Sequence, residues 1–314
     1  MSLVRENVPL KRFSNFRIGG AARYFVEVGA ISQLRSAVRF AKQRKLPVFL
    51  LGGGTNLLIR DEGYPGLVLR ITFPGVSVHG ATLRAGAGAT VAQLVAAAVR
   101  AGLMGLEWAG GLPGTVGGAI FGNAGAFGGE IKDSVSSVES FNLRTGKIIR
   151  RATDACQFSY RNSVFKERAG QEVILRAVFR LHPGKTRELR RIAAEKIAFR
   201  KARHPMEHPN IGSIFKNIPL ARARASTRVT TEMLGRWPVK NDPFPVIPAA
   251  VLLAEAGLRG TVAGGAMISP KHPNFIVNVT GASARDVEAL IALAKERIRE
   301  NFGLELEEEV RRVG

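Results

Sequence analysis

The sequence predicts a protein of mixed helices and strands that is divided into two or three domains. Its 314 residues exceed the roughly 250–300 at which a single hydrophobic core stops growing. Residues 21–51 have the pattern strand, helix, strand, and a glycine loop follows directly, which is typical of an α/β unit. A glycine-dense stretch at residues 102–129 holds 11 of the 35 glycines. Such density indicates backbone that passes close to another chain segment or a ligand.

The elements before the glycine-dense stretch follow from hydrophobic periodicity and from glycines. A turn at Gly19 and Gly20 precedes the first long strand. The spacing of apolar residues predicts a helix over 32–45, with Ser32 as its N-cap. Thr90 is predicted to cap a second helix in the same way.

The elements after that stretch are predicted by the same reasoning. Residues 172–181 form an apolar strand, and a domain boundary is expected near Gly184. Residues 247–260 are predicted to form a buried helix. Ser283 and Asp286 have the spacing of a capping box and predict a further helix.

Composition and cysteine usage indicate a soluble globular protein. Apolar residues make up 46% of the chain and charged residues 23%. The single cysteine, Cys156, excludes an intramolecular disulfide and is expected to be buried and inert. No run reaches the ~18 apolar residues of a membrane span, so a cytoplasmic protein without a membrane partner is expected.

The formal net charge of +21 favours an anionic partner. A polyanion or a small phosphate-bearing substrate would both satisfy it. The basic residues are spread along the chain and form no zinc-finger, basic-region or aromatic RNA-binding pattern, so no specific nucleic acid is expected. His204, His208 and His272 lie near prolines, are interpreted as turn or surface residues, and predict no metal site.

Seven short motifs carry a resemblance to a known family. They are RIGG (17–20), LGGGTNLLI (51–59), GLPGTVGGA with GNAGAFGGE (111–130), FSYRNSVFK (158–166), GSIFKN (212–217), KHPNFIVN (271–278) and a terminal E-V-x-x-x-G (309–314). In this order the chain resembles the UDP-N-acetylenolpyruvoylglucosamine reductases of peptidoglycan synthesis, over essentially its whole length. Only a few residues separate 166 from 172, so the resemblance is to the shorter subgroup, which lacks a substrate-loop insertion.

The resemblance implies an α+β fold. Two subdomains, 1–71 and 72–184, would form an FAD-binding fold of the vanillyl-alcohol-oxidase (PCMH) type, with the tail 304–314 returning to the first. Residues 185–303 would form a third, α/β domain that binds substrate. The family binds FAD non-covalently, takes NADPH and a UDP-sugar as its partners, and is expected to be monomeric here.

The resemblance also implies the residues that hold FAD. They are the glycines and neighbours of the first three motifs: Arg17, Gly19, Gly20, Gly52, Gly53, Gly54, Thr55, Asn56, Gly111, Pro113, Gly114, Thr115, Gly117, Gly118, Asn123, Ala124 and Gly125. Consecutive amides in turns make anion-binding concavities, which suits a cofactor with a diphosphate.

Three residues match the family's catalytic positions. Hydride addition to an enolpyruvyl ether builds negative charge onto the adjacent carboxylate, and the planar fork of Arg161 suits a carboxylate. Ser213 matches the general acid that protonates C2, and Glu309 matches the essential carboxylate of the tail, which with Arg161 would stabilise the enolate. The substrate-binding positions are Tyr160, Lys201, Arg203, Lys216 and Asn217.

Other interpretations remain open at this point. Without the motifs, Arg161 is an ordinary ion-pair residue, Ser213 a helix cap, and Glu309 part of a solvated acidic run. The chain could be another oxidoreductase of the same flavin fold, or a flavin-binding paralogue without turnover. It departs from the family pattern in its substrate half at several positions, which are His204, Ile218, Ala249 and Glu308, and also at Gly122.

Overall fold

The structure is a computed structural model that describes residues 4–241 and 244–314. The described chain forms two compact units. Unit 1 contains residues up to Val8, Ala22–Gly53 and Tyr64–Arg200, and unit 2 contains Pro9–Ala21, Gly54–Gly63 and Lys201–Gly314. The division into 1–71, 72–184 and 185–303 is a different partition of the chain and stays a prediction.

The elements alternate along the whole described chain. The strands are β1 (Arg5–Pro9), β2 (Ala21–Val28), β3 (Val48–Leu51), β4 (Leu57–Ile59), β5 (Tyr64–Ile71), β6 (Val76–His79), β7 (Thr82–Gly86), β8 (Leu103–Met104), β9 (Gly125–Ala126), β10 (Gly129–Glu130), β11 (Val135–Asn142), β12 (Ile148–Ala152), β13 (Glu172–Arg180), β14 (His182–Pro183), β15 (Asn210–Ser213), β16 (Ile218–Pro219), β17 (Lys240–Asn241), β18 (Pro245–Ile247), β19 (Val262–Ala263), β20 (Ala266–Ile268), β21 (Phe275–Asn278) and β22 (Arg311–Val313). The α-helices are α1 (Ile31–Gln43), α2 (Val91–Arg100), α3 (Val116–Phe121), α4 (Val164–Glu167), α5 (Thr186–Arg203), α6 (Leu220–Arg224), α7 (Thr231–Arg236), α8 (Ala249–Glu255) and α9 (Ala284–Phe302).

Unit 1 contains two main sheets around one hydrophobic core. The first has the strand order β1-β2-β5-β3, in which β5 pairs in parallel with both β2 and β3. The second has the order β12-β11-β13-β7-β6 and is antiparallel throughout. The core includes Leu34 of α1, Leu94 of α2 and Phe179 of β13, all fully buried. Parallel strands joined by helices explain the α/β pattern of the first residues.

The helix starts of unit 1 confirm one predicted cap and correct another. Thr90 Oγ1 accepts a hydrogen bond from the Gln93 amide at 3.0 Å, and Gln93 Oε1 accepts from the Thr90 amide at 2.8 Å. Ser32, by contrast, lies inside α1, which begins at Ile31. The Gln33 side chain accepts from the Gly29 and Ala30 amides at 2.9 and 3.1 Å, which is the backward-reaching half of a capping box with Ala30 at the N-cap.

Unit 2 contains a four-stranded sheet, β15-β21-β20-β19, covered by the long helix α9. Ser283 and Asp286 form the predicted capping box, with bonds of 2.9 and 3.1 Å between each side chain and the other residue's amide. Gly303 ends α9 in a left-handed conformation with φ +62°. The predicted buried helix is present but shorter than 247–260, since α8 ends at Glu255.

The acidic tail is an ordered part of unit 2. Leu304 and Leu306 are buried between its charged residues, and β22 pairs in parallel with β4. Glu308 is bonded by Lys295 and Arg312. Burial of Glu308 acts to raise its pKa, but hydrogen bonds and charge from Arg312 and Lys295 outweigh burial and lower the pKa overall.

Candidate functional site

Two glycine loops of unit 1 touch each other through their backbones. A Cβ added to Gly53 would lie 2.9 Å from the Gly114 Cα and 3.3 Å from the Thr115 amide nitrogen. A Cβ on Gly52 would lie 3.0 Å from Thr115 Oγ1. Gly114 has a φ of +104°, which side-chain-bearing residues rarely adopt. The two loops therefore require glycine for close backbone approach and, at Gly114, for conformation.

The same loops present backbone amides that are not used for folding. Within the described residues, the amides of Gly53, Gly114 and Thr115 donate no hydrogen bond, and all three residues are partly exposed. Amide groups that point out of a turn are donors for an anion. The loops thus provide a surface suited to phosphate oxygens. A side chain at position 53 would intrude on this surface.

Arg161 lies at the tip of a tight turn in unit 1. Ser159 and Asn162 exchange backbone hydrogen bonds of 3.2 and 3.0 Å, which closes the turn around Tyr160 and Arg161. Arg161 has a φ of +56°, and its guanidinium donates a 2.9 Å bond to the Gly125 carbonyl. The guanidinium also lies over the Tyr160 ring, 5.3 Å from its centroid. Arg161 is thus held by its backbone and by its side chain.

Buried polar bonds fix this turn to the glycine-dense stretch. The fully buried Asn123 donates to the Ser159 carbonyl at 3.0 Å and accepts from the Lys132 amide at 3.1 Å. Ser163 donates to the Phe121 carbonyl at 2.7 Å. Because buried side-chain bonds of this kind resist displacement, the Arg161 turn and the glycine stretch form one structural element.

Ser213 and Glu309 are brought together within unit 2. Ser213 is the last residue of β15, where it pairs with Phe275 of β21. The carbonyl of the next residue, Ile214, accepts a 2.8 Å bond from the Glu309 amide. The tail around Glu309 thus runs beside the chain that follows Ser213.

Further bonds hold the segment after Ser213 in place. The buried Asn274 accepts from the Phe215 amide at 2.9 Å and donates to the Phe215 carbonyl at 2.8 Å. The Lys216 amide donates to the Glu307 carbonyl at 2.9 Å, and the two side chains form an ion pair. Asn217 Oδ1 accepts from the Ala249 amide at 3.3 Å, at the start of α8.

Comparison with known proteins identifies the family. Residues 204–313 match the family profile of the UDP-N-acetylenolpyruvoylglucosamine reductase C-terminal domain, and residues 22–151 match an FAD binding domain. The chain is 39% identical to the UDP-N-acetylenolpyruvoylglucosamine reductase of Rubrobacter xylanophilus over 308 residues, covering 98% of this chain and 94% of that protein. The chain belongs to the UDP-N-acetylenolpyruvoylglucosamine reductase family. The reductase of Latilactobacillus sakei is 37% identical, over 99% of this chain and 93% of its own.

A solved structure supports the same assignment. The UDP-N-acetylenolpyruvylglucosamine reductase from Thermus caldophilus matches with a TM-score of 0.79 and 31% identity over 100% of both chains. These matches confirm the α+β class, the vanillyl-alcohol-oxidase type of flavin-binding fold and FAD as cofactor. The protein is an FAD-dependent oxidoreductase. No helix of the described residues is long and apolar enough to cross a membrane.

The glycine loops of unit 1 fit the cofactor that reductases of this family bind. A diphosphate needs several backbone donors and close approach, and the contact of Gly53 with Gly114 provides both. The residues of unit 1 that are proposed to bind FAD are Gly52, Gly53, Gly111, Pro113, Gly114, Thr115, Gly117, Gly118, Asn123, Ala124 and Gly125. Those of unit 2 are Arg17, Gly19, Gly20, Gly54, Thr55 and Asn56.

Several of the proposed glycines in unit 2 are required by packing within the chain. A Cβ on Gly19 would lie 2.6 Å from the Ile59 Cβ, and one on Gly20 would lie 2.2 Å from the Asp61 carbonyl oxygen. At Gly54, with φ +64°, a Cβ would meet a backbone carbonyl of the same unit. These contacts account for glycine at all three positions, so a role for them toward FAD rests on the resemblance and stays a prediction.

The substrate-binding residues proposed near the end of α5 lie beside a histidine pair. Lys201 is exposed, and its carbonyl accepts a 3.1 Å bond from Lys271 Nζ. The His204 and His272 rings are 5.5 Å apart, and both pack on Phe275. His272 is partly exposed and lies directly before the turn that leads into β21, and burial of its ring lowers the pKa of His272 to about 4.

The structure gives defined contacts to two further charged groups of unit 1. Arg200 directly precedes the proposed substrate residues Lys201 and Arg203. Its guanidinium donates to the Gly110 carbonyl at 3.0 Å, and burial lowers its pKa. Glu130 is the last residue of the motif GNAGAFGGE, and sequence reasoning assigned it no role, although it is only 4% exposed. The single acid of the glycine-rich motif at 122–130 is the signal that could have identified it.

Proposed function

We propose that this chain catalyses the NADPH-dependent reduction of the enolpyruvyl group of UDP-N-acetylenolpyruvoylglucosamine, giving UDP-N-acetylmuramate for peptidoglycan precursor synthesis. The family assignment supports the reductase activity. The observation that carries the residue roles is the backbone bond between Glu309 and Ile214, because it brings a carboxylate residue of the tail beside the proposed proton donor, Ser213.

Arg161 is proposed to bind the substrate carboxylate. Reduction adds a hydride to C3, so negative charge develops as an enolate that extends onto this carboxylate. A guanidinium offers two parallel donors to a carboxylate, and a fixed cation stabilises the charge that appears in the transition state. The Gly125 carbonyl and the tight turn restrict the guanidinium before substrate binds, which lowers the entropy cost of binding.

Ser213 is proposed to give its hydroxyl proton to C2. A serine hydroxyl is a weak acid in water, so it requires neighbours that stabilise the oxygen as the proton leaves. Lys216 lies in the same clamped segment, is only 18% exposed and is held by its ion pair with Glu307, and its ammonium group is proposed to stabilise this oxygen. Glu309 is proposed as a second catalytic group on the adjacent tail.

When bound, FAD would supply hydride transfer between NADPH and the substrate. The loops at Gly53 and Gly114 are proposed to bind its diphosphate. Tyr160, Lys216 and Asn217 are proposed to contact the substrate, with Lys201 and Arg203 as the cations for its diphosphate. The net charge of +21 attracts both anionic partners through the long-range field.

The visible spectrum of the purified protein tests the reaction directly. Under anaerobic conditions, NADPH should bleach the flavin bands and UDP-N-acetylenolpyruvoylglucosamine should restore them. A parallel titration with NADH measures the nicotinamide preference. Bands that bleach but do not return would refute the proposed substrate and favour a different acceptor within the same flavin fold.

Ser213→Ala tests the proton donor. Flavin reduction by NADPH should be nearly unchanged, because that step needs no proton at C2. Reoxidation by substrate should slow by about 10²–10⁴-fold, the usual range for loss of a general acid. Ser77→Ala is the control, since Ser77 is exposed on the edge strand β6. Equal slowing of both half-reactions would contradict the role of Ser213.

A further inference from the structure

Glu130 is a buried carboxylate of unit 1 that the reaction described above does not use. It ends the β9–β10 hairpin, and its side chain is 5% exposed. Its Oε2 lies 2.6 Å from Lys132 Nζ, and the pKa of Lys132 is raised chiefly by this contact. Its Oε1 is buried and has no hydrogen-bond partner among residues 4–241 and 244–314. A buried carboxylate oxygen without a partner is costly and requires an explanation.

The hairpin that carries Glu130 is held rigidly. The Glu130 amide donates a 2.7 Å bond to Asp133. On the adjacent residue, a Cβ added to Gly129 would lie 2.4 Å from Trp108 Cδ1, so the indole is packed directly on the hairpin backbone. The Trp108 indole is itself fixed by a 3.1 Å bond to the Gly105 carbonyl. The position of the carboxylate is thus set by the fold.

Glu130 and Arg161 meet on the same side of Gly125. A Cβ placed on Gly125 would lie 2.8 Å from the Glu130 Cγ and 3.1 Å from the Arg161 Nη1. The Glu130 Cγ and the Arg161 Nη1 are therefore no more than about 6 Å apart, so the carboxylate attached to this Cγ lies near enough to act on the guanidinium through space. Glycine at position 125 leaves the space between the two side chains open.

The electrostatic environment favours interaction of Glu130 with Arg161 despite the nearby lysine. Lys132 is 37% exposed, so water screens its charge, and no hydrogen bond satisfies the buried Oε1 of Glu130 within the described residues. Arg161 is partly buried, and water screens a partly buried charge less than an exposed one. Its Nη2 donates to the Gly125 carbonyl, while Nη1 is the nitrogen near Glu130.

We propose that Glu130 is a positioning residue of this reductase: its carboxylate holds the Arg161 guanidinium against the Gly125 carbonyl, in the orientation that receives the substrate carboxylate. Glu130 contacts neither substrate nor reacting atoms and acts only through Arg161. The inference rests on the proposed function, which gives Arg161 its role as carboxylate ligand.

Glu130→Gln tests the inference, because glutamine keeps the shape and removes the charge. In anaerobic stopped-flow measurements on the flavin-loaded protein, reduction by NADPH and the flavin spectrum should stay unchanged. Reoxidation by UDP-N-acetylenolpyruvoylglucosamine should slow about tenfold, as expected for loss of a charge at this distance with partial screening. Glu130→Asp keeps the charge but withdraws it by one methylene, and it should slow the same step by only about threefold.

A double-mutant cycle separates positioning from a structural role. In an Arg161→Lys background, which lacks the bidentate fork, Glu130→Gln should change reoxidation less than about twofold, because the group through which it acts is absent. Glu139→Gln is the matched control: this glutamate also pairs with a cation in unit 1, Arg176, and should leave both half-reactions unchanged.

The possible outcomes distinguish this inference from the proposed function. If Arg161→Lys alone reoxidises at the normal rate, the proposed role of Arg161 fails. If Arg161→Lys is slow but Glu130→Gln is normal, or if the two effects multiply, only the positioning role is overturned. A changed flavin spectrum in Glu130→Gln with normal reoxidation would also overturn it. If glutamine prevents folding, Glu130→Asp decides, and normal reoxidation in that variant refutes the inference.

Discussion

Replacing Arg151 by methionine should destabilise unit 1 strongly, because it leaves a buried carboxylate without its cation. Arg151 on β12 donates two bonds, of 2.6 and 2.8 Å, to Glu172 on β13. The two side chains are only 12% and 5% exposed. Ser140, fully buried on the strand between them, donates to the same carboxylate at 2.6 Å. The guanidinium also lies over the Phe165 ring.

The size of the effect follows from this geometry. Breaking a buried, bidentate pair by removing one partner costs about 3–5 kcal/mol, since the remaining charge stays desolvated. Methionine keeps most of the arginine stem, so lost packing contributes little to the difference. For a protein of this size such a loss lowers the unfolding midpoint by roughly 5–15 °C. Replacing both partners, as Arg151→Met with Glu172→Leu, should recover most of the loss because no unpaired charge remains.

Thermal unfolding followed by circular dichroism, at fixed flavin concentration, measures these midpoints. The control is Arg176→Met, which removes an ion pair to Glu139 on the same sheet, where Arg176 is 53% exposed. That substitution should change stability by less than about 1 kcal/mol. Equal midpoints for Arg151→Met and Arg176→Met would refute the assignment of a buried, energetically important pair. A double variant that is less stable than Arg151→Met alone would also refute this assignment.

Two further predictions concern the cofactor loops and pH. Gly53→Ala should reduce flavin content severely, because a Cβ 2.9 Å from the Gly114 backbone separates the loops, whereas Gly235→Ala, with open space around its Cβ, should retain flavin. Flavin absorbance per mole of purified protein measures this, and equal flavin content in the two variants would contradict the loop contact. Burial lowers the pKa of His272 from 6.5 to about 4, so between these pH values the folded state binds fewer protons than the unfolded state. The free energy of unfolding should therefore fall as pH drops through this window, by at most about 1.4 kcal/mol per pH unit. His272→Gln should remove this part of the pH dependence of the unfolding midpoint, and the exposed His79→Gln should not; identical profiles for both variants would show that His272 is not responsible.

Local sequence signals predicted the helix ends well where a side chain serves its own helix. Thr90 and Ser283 are caps because threonine and serine hydroxyls reach the amide three residues ahead. Ser32 had the same appearance but was wrong, because Gln33 reaches back to the preceding amides and moves the helix start. The serine at position 32 did not by itself show that the helix begins one residue earlier, at Ile31.

Features that depend on distant pairing could not be predicted from periodicity. The tail is acidic along its exposed positions, yet Leu304 and Leu306 are buried and β22 pairs with β4. Alternating leucines indicate a buried face but not its partner. The proximity of Glu130 to Arg161 was likewise unpredictable, because it depends on the fold around Gly125 and not on sequence spacing. The glycine-rich motifs, by contrast, indicated the loops correctly, since close backbone contact demands a particular residue type.

Unit 2 is assembled from three separated stretches of chain, Pro9–Ala21, Gly54–Gly63 and Lys201–Gly314. This has a consequence for synthesis on the ribosome. The core of unit 2 includes Phe16, Ile18 and Leu58, whose partners come from residues beyond 200. At about 5–20 residues per second, these side chains emerge many seconds before most of that core exists. The early segments therefore stay unfolded, and accessible to chaperones and proteases, until the last third of the polypeptide has been translated.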